Sequence, residues 1–156
     1  MDKKVLGLKD FLKKAAENEE KKVKVTHIDV KNFGLIEFIR PREGVMIDYL
    51  EEVTDAVDIT KEKTYEEEND TKKVLVEKEN SKVKMRSLIE AAEKFVYLCC
   101  PMLQAKETLE TYSNMSPYEI PTAVFGHNLT IDLANKLNNI FDGTETRKKV
   151  KEEIKN

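Results

Sequence analysis

Residues 86–101 read RSLIEAAEKFVYLCCP, and this stretch decides the class of fold. Leu88, Ala91, Ala92, Phe95, Val96 and Cys99 recur at intervals of three and four, the spacing that lines one face of an α-helix. Pro101 has no amide hydrogen for a helix interior, so the helix is expected to stop there. Leu103, Leu109 and Tyr112 then suggest a second short helix or an irregular turn. Ser116-Pro117-Tyr118-Glu119 predicts a fresh helix start, with Ser as cap, Pro in the first turn and Glu completing a capping box. A cap of this kind contributes about 1 kcal/mol. That helix should end at Gly126. Leu129, Leu133, Leu137, Ile140 and Phe141 drive another, closed at Asp142-Gly143, and the residues beyond it are polar apart from Val150 and Ile154.

Working back toward the N-terminus, the pattern changes. Leu8, Phe11, Leu12 and Ala15 predict a short amphipathic helix over 6–16, followed by ENEEKK, which is too polar to bury anything. Val23 and Val25 alternate with polar residues, and Ile28 and Val30 continue in the opposite phase. The slip at Thr26-His27 predicts a β-bulge, because a one-residue shift turns every side chain to the other face. Lys31-Asn32-Phe33-Gly34 reads as a turn and 35–40 as the return strand, giving a hairpin. Pro41 ends it, and Val45, Met46, Tyr49, Leu50, Val53 and Val57 form a further helical stripe.

Between these halves lies ITKEKTYEEENDTKKVLVEKENSK, residues 59–82, broken only by Val74-Leu75-Val76. Its charge density predicts an acidic mobile linker with a weak strand or helical turn at the apolar triplet. The expected fold class is α+β, helix-dominant, with a short antiparallel β-hairpin and a C-terminal helical module. The expected organisation is a single domain over 1–156. It comprises helix, hairpin and helix in 1–58, the linker 59–82, the helical module 83–143 and a polar tail 144–156.

The chain has 156 residues, enough to bury about 68–70% of its unfolded surface without disulfide or metal staples. Charged residues make up 37%, against roughly 25% in an average domain, and net charge is −3. Eight lysines against five acids give residues 1–26 a net +3, while eleven acids against two lysines give 43–70 a net −9. No dense basic face is available for phosphates, so no nucleic-acid partner is expected. No apolar run reaches the ~20 residues that span a bilayer, and MDKKVLGLKDFLKK is not a signal peptide. A cytoplasmic protein with no membrane partner is the expectation.

Residue types that carry chemistry are scarce. His27 and His127 have no cysteine or carboxylate at metal-ligand spacing. Cys99 and Cys100 are adjacent, which suits reduced thiols, with Cys99 in the core and Cys100 at its margin. Glu66-Glu67-Glu68 lacks the alternating ligands and central Gly of a calcium loop and reads as a solvated charge run. The five glycines are isolated, so no phosphate-cradling loop exists, and no serine has a nucleophile motif. No catalytic, cofactor-binding or metal residue is nominated, no cofactor is expected, and partner-contact residues and oligomeric state are not legible. Met85, Met102 and Met115 fit core gap-filling better than an adaptable partner surface.

The run EAAEKFVYLCCPMLQAKETLETYSNMSPYEIPTAVFGHNLTIDLANKLNNIFDG, residues 90–143, resembles the tail assembly chaperones of long-tailed phages, specifically the PBSX-type, XkdN-like family. The resemblance lies in the tyrosine-containing VYLCCP helix end, the LETY stretch, the Ser-Pro-Tyr-Glu helix start and the Leu-rich helix running into Phe-Asp-Gly. LKDFLKK and the hairpin leading into a helix also suit the family. About two thirds of the chain is covered, and the segment 59–82 hardly at all. The resemblance implies a non-enzymatic chaperone in the host cytoplasm, absent from the finished particle. Such a protein coats the apolar stripes of a tape-measure protein and helps recruit tail-tube subunits. Its binding surface is expected over 87–141, in grooves that accept an amphipathic helix. The alternatives are a structural tail or baseplate component and a small regulatory adaptor.

Overall fold

The computed structural model describes residues 4–69 and 72–142, with 58–81 described by backbone alone. The fold is α+β with helix dominant: a short antiparallel hairpin and a C-terminal helical region, to which a second, longer hairpin is added. The tail expected over 144–156, and Gly143 before it, lie outside the described residues.

The chain forms two compact units, residues 1–40 with 136–156, and residues 41–135. The division thus falls at Pro41 and inside the last helix, not in the segment 59–82. The reason lies in where each part finds its apolar partners.

In the first unit, helix α1 (Leu8–Lys21) runs a turn beyond the expected 6–16. Glu and Lys are good helix formers, so ENEEK extends the helix although it buries nothing. Strands β1 (Val25–Val30) and β2 (Gly34–Ile39) pair antiparallel in unbroken register, from Val25 opposite Ile39 to Val30 opposite Gly34. The bulge expected at Thr26-His27 is absent. Val25 simply stays on the exposed face with His27 and Asp29, while Ile28 and Val30 turn inward. The turn uses Asn32 at φ 74° and Gly34 at φ 92°, backbone values that those two residue types tolerate best. Buried in this unit are Ile28, Val30, Ile36 and Phe38 of the hairpin, with Leu137, Ile140 and Phe141 from the end of the chain's last helix. Arg40 donates to the backbone carbonyl of Phe141, tying the end of the strand to the end of that helix. The C-terminal residues are therefore part of the N-terminal unit's core.

In the second unit, helices α2 (Glu43–Ala56) and α3 (Met85–Cys99) pack together. Tyr49 stacks on Phe95 with ring centroids 4.4 Å apart, and its hydroxyl donates to Oδ1 of Asn135 at 2.9 Å. Helix α3 also packs on α4 (Pro101–Gln104), on a 3-10 turn at Pro117–Glu119 and on α6 (Ile120–Phe125), with α5 (Lys106–Thr111) lying against α4. Helix α7 (His127–Asp142) follows Gly126, whose φ of 83° ends α6. The capping box expected at Ser116 does not form, since no side-chain bond caps the turn. The backbone of Glu119 donates instead to the carbonyl of Ser116 at 2.9 Å, closing a 3-10 turn before α6. Pro121 sits in the first turn of α6, where a missing amide hydrogen costs nothing.

The largest correction concerns residues 59–82. In place of a linker, β3 (Val57–Asn69) and β4 (Lys72–Val83) form a long antiparallel hairpin. The register sets Asp58 opposite Lys82, Lys61 opposite Glu79, Glu62 opposite Lys78, Lys63 opposite Glu77 and Glu67 opposite Lys73. Opposite charges at facing positions favour pairing by roughly 0.2–1 kcal/mol each. Tyr65 opposite Leu75 and Thr64 opposite Val76 add positions of high β propensity. Composition suggests a solvated linker, whereas the order of the charges specifies a ladder.

Candidate functional site

The second unit holds a hollow of ≈ 650 Å³ beside α3, lined by Arg86, Ile89, Glu90 and Glu93 of that helix. Met115 borders it, with Glu119 of the 3-10 turn, Thr122 and Ala123 of α6 and His127 at the start of α7. On the other side of Glu90 and Glu93 lies a second hollow of ≈ 590 Å³, lined by Glu52, Asp55, Lys94 and Tyr118 among others. The two depressions thus share Glu90, Glu93 and Glu119.

Local sequence explains this arrangement. Glu93 is four residues after Ile89 and three before Val96, so it sits in the apolar stripe of α3. It is 9% exposed, and Oε1 accepts a hydrogen bond from the Thr122 hydroxyl at 2.5 Å. Burial pushes its carboxyl above the ordinary carboxylate range, and Glu119 and Glu90 push the same way. The Thr122 hydroxyl and Arg86 oppose that shift without cancelling it. Tyr97 and Tyr118 meet edge to face, centroids 5.5 Å apart, fixing the 3-10 turn against the C-terminal half of α3. Lys94 pairs with Glu52 at 3.6 Å, joining α3 to α2 beside the second hollow.

What the hollows offer is a mixed surface. Ile89, Met115 and Ala123 supply apolar contact, and Glu90 and Glu119 are exposed carboxylates at its border. Elsewhere the same unit exposes Ile47, Leu50, Met85, Met102 and Tyr118. Met85 and Met102, read from sequence as gap-fillers, are 50% and 61% exposed, and Met115 lines the hollow. It is Met46 that fills the core.

The residues weighed for chemistry are scattered. Both cysteines are free and buried. Cys100, placed from sequence at the core's margin, is 1% exposed, because the chain turns from α3 into α4 at this residue and folds over it. Burial pushes both thiols up, and Cys100 raises Cys99 further. His27 lies 3.6 Å from Glu37, its facing residue in the hairpin register, a partnership ten residues apart that local spacing does not reveal. His127 lines the hollow beside α3. Among the described residues no group of three or more His, Cys, Asp or Glu could hold a metal ion. Glu66 and Glu67 lie in β3 opposite Val74 and Lys73. No helix among the described residues is long and apolar enough to cross a membrane.

Comparison with known proteins adds no neighbour: no family model, no curated protein and no solved structure matches the chain.

Proposed function

We propose that the chain is a non-enzymatic tail assembly chaperone of a phage or prophage. It binds the tape-measure protein in the cytoplasm, keeps it soluble, helps recruit tail-tube subunits and leaves before the particle is complete. The observation that supports this reading best is the mixed lining of the hollow along α3. Ile89 and Met115 offer apolar contact beside the carboxylates of Glu90 and Glu119. The surface suits one or two side chains of an amphipathic helix, with a basic residue at its border. Burial there contributes roughly 25 cal/mol per Å², so a few hundred Å² offsets several kcal/mol of ordering cost. Exposed Met85, next in sequence to Arg86 of the lining, adds a side chain that adapts to varied clients. The resemblance of residues 90–143 to the XkdN-like family supplies the identity of the client.

The test is co-expression with a tape-measure protein from the same genome. The full chain should move that protein into the soluble fraction. Met115→Glu, which puts a charge on the rim of the hollow, should reduce the rescue. Point variants are required, because deleting everything after residue 87 also removes Leu137, Ile140 and Phe141 from the first unit's core. No rescue by the full chain, with both proteins expressed, would sink the proposal. Detection of the chain in purified particles would turn the reading to a structural tail component.

A further inference from the structure

The second hairpin is long for the number of strands it has. β3 spans 13 residues and β4 spans 12, yet they form a sheet of two strands only. Among the described residues the helix that packs on it is α2, and it packs on β3. Two strands alone are marginally stable in water, and further strands supply what is missing. The outer edge of β4 pairs with no strand among the described residues. Such an edge offers its amides and carbonyls to another chain.

The order of residues along that edge selects the occupant. Lys73-Val74-Leu75-Val76-Glu77 matches itself when read in reverse, with the charges exchanged. Laid antiparallel on a second copy about Leu75, it sets Leu75 opposite Leu75 and Val74 opposite Val76. Lys73 of each copy then stands opposite Glu77 of the other. Slipping the pairing by one residue brings Lys73 opposite Val76 or Lys78, so one register is favoured. The match extends into β3, whose register holds Glu67 opposite Lys73, Tyr65 opposite Leu75 and Lys63 opposite Glu77. Across both copies one row therefore runs Glu67, Lys73, Glu77, Lys63, and the next runs Tyr65, Leu75, Leu75, Tyr65. Facing positions of antiparallel strands share a face, and opposite charges there favour pairing. Signs alternate at every step of the charged row. Lys78 faces Lys72 just beyond, which confines the matched run to residues 73–77. The outer edge of β3 has no such match, because Glu66, Glu67 and Glu68 are consecutive there.

We propose that β4 is a self-pairing edge. Residues 73–77 of two copies join antiparallel about Leu75, and the two hairpins become one intermolecular sheet in the order β3-β4-β4-β3 across a two-fold axis. This surface rests on the register of the hairpin. It does not depend on the tail-assembly reading, which rests on the hollow beside α3.

The experiment uses the full chain in size-exclusion chromatography with light scattering. The parent should give twice the 18.0 kDa of one chain at about 100 μM and move toward a single chain on dilution. Two variants test the charges: Lys63→Glu with Glu77→Lys, and Glu67→Lys with Lys73→Glu. Each keeps opposite charges facing within its own hairpin but puts like charges across the proposed interface. Each should be monomeric alone, and the equimolar mixture should recover the dimer, because the exchanged charges then face each other. Mixing does not rescue a variant that has merely lost its fold. Leu75→Cys reads the register. Facing Cα atoms lie about 4.5–5.5 Å apart, within disulfide reach, so oxidation with diamide should trap a covalent dimer. Val74→Cys sets its two thiols on a diagonal of about 7–8 Å and should be trapped far less. Cys99 and Cys100 are buried, which leaves this readout to the introduced thiols. A monomeric parent, a mixture that stays monomeric, or equal trapping of the two cysteine variants would overturn the proposal. Charge variants that stay dimeric alone would also overturn it and assign the dimer to another surface.

Discussion

Phe95→Ala should be among the most damaging single substitutions in the second unit. Phe95 is 1% exposed, stacks on Tyr49 at 4.4 Å, and lies on α3, against which α2, α4 and α6 pack. Truncating a buried Phe to Ala costs about 3–5 kcal/mol, the transfer term plus the cavity left behind. The upper half of that range is expected, since backbone on several sides limits collapse into the void. The ring pair itself accounts for about 0.5–1.5 kcal/mol beyond area burial. A double-mutant cycle with Tyr49→Ala should recover a coupling of that size, because the second truncation has no stack left to lose. The assay is urea unfolding followed by circular dichroism. With a slope near 2 kcal/mol per molar urea, the midpoint should fall by ~2–2.5 M. Tyr49→Phe should cost far less, about 0.5–1 kcal/mol, because the exposed Asn135 amide it frees can turn to water. A loss below about 1 kcal/mol for Phe95→Ala would refute the packing argument.

Three further outcomes follow from the same geometry. Glu93 has its carboxyl raised above the ordinary 4.5 by burial, so the native state binds more protons than the unfolded chain between that value and the raised one. Stability therefore falls as pH rises through this window. Glu93→Gln, which can still accept the Thr122 hydroxyl, should be the more stable protein above the window and equal to the parent below pH ~4 in paired denaturation curves. Cys99 and Cys100 should resist iodoacetamide in the native protein and react fully in urea, since both are buried with raised thiols; rapid native labelling followed by mass spectrometry would contradict the assignment. Within β3–β4, Glu62→Lys places like charges opposite each other at Lys78, and should lower amide-exchange protection of the hairpin by an amount equivalent to roughly 0.2–1 kcal/mol. Adding Lys78→Glu should restore it, whereas an unchanged double variant would deny the pairing.

The legible parts of this molecule are those whose apolar residues repeat at short range. The stripe from Leu88 to Cys99 gave α3 its extent within a few residues, and Pro101, Pro117 and Gly126 marked real boundaries. The first hairpin was legible too, because Asn32 and Gly34 can take the positive φ its turn requires. Periodicity also implied an apolar face on α1, but could not say that the face stays uncovered.

What stayed hidden depends on partners distant in sequence. Composition sums charge and discards its order, so 59–82 reads as a linker although the backbone register sets Lys61, Glu62 and Lys63 opposite Glu79, Lys78 and Glu77. The same holds for the division of the chain. Nothing local in Leu137, Ile140 and Phe141 indicates that they serve the N-terminal hairpin, because any apolar stripe on α7 would read alike. The hollow was hidden for a third reason. Glu93 drew no attention within EAAEKF, although Ile89 and Val96, four before and three after, place it on the apolar line. A carboxylate in that position carries a desolvation cost unless something compensates it. Here a single hydroxyl from Thr122 compensates in part, and the rest of the compensation is the raised pKa itself. A residue kept at such a cost, in an open hollow beside two more carboxylates, is where a cationic group of a client would repay most by binding. That is why the proposed contact surface centres on α3 and not on the exposed apolar side chains scattered around it.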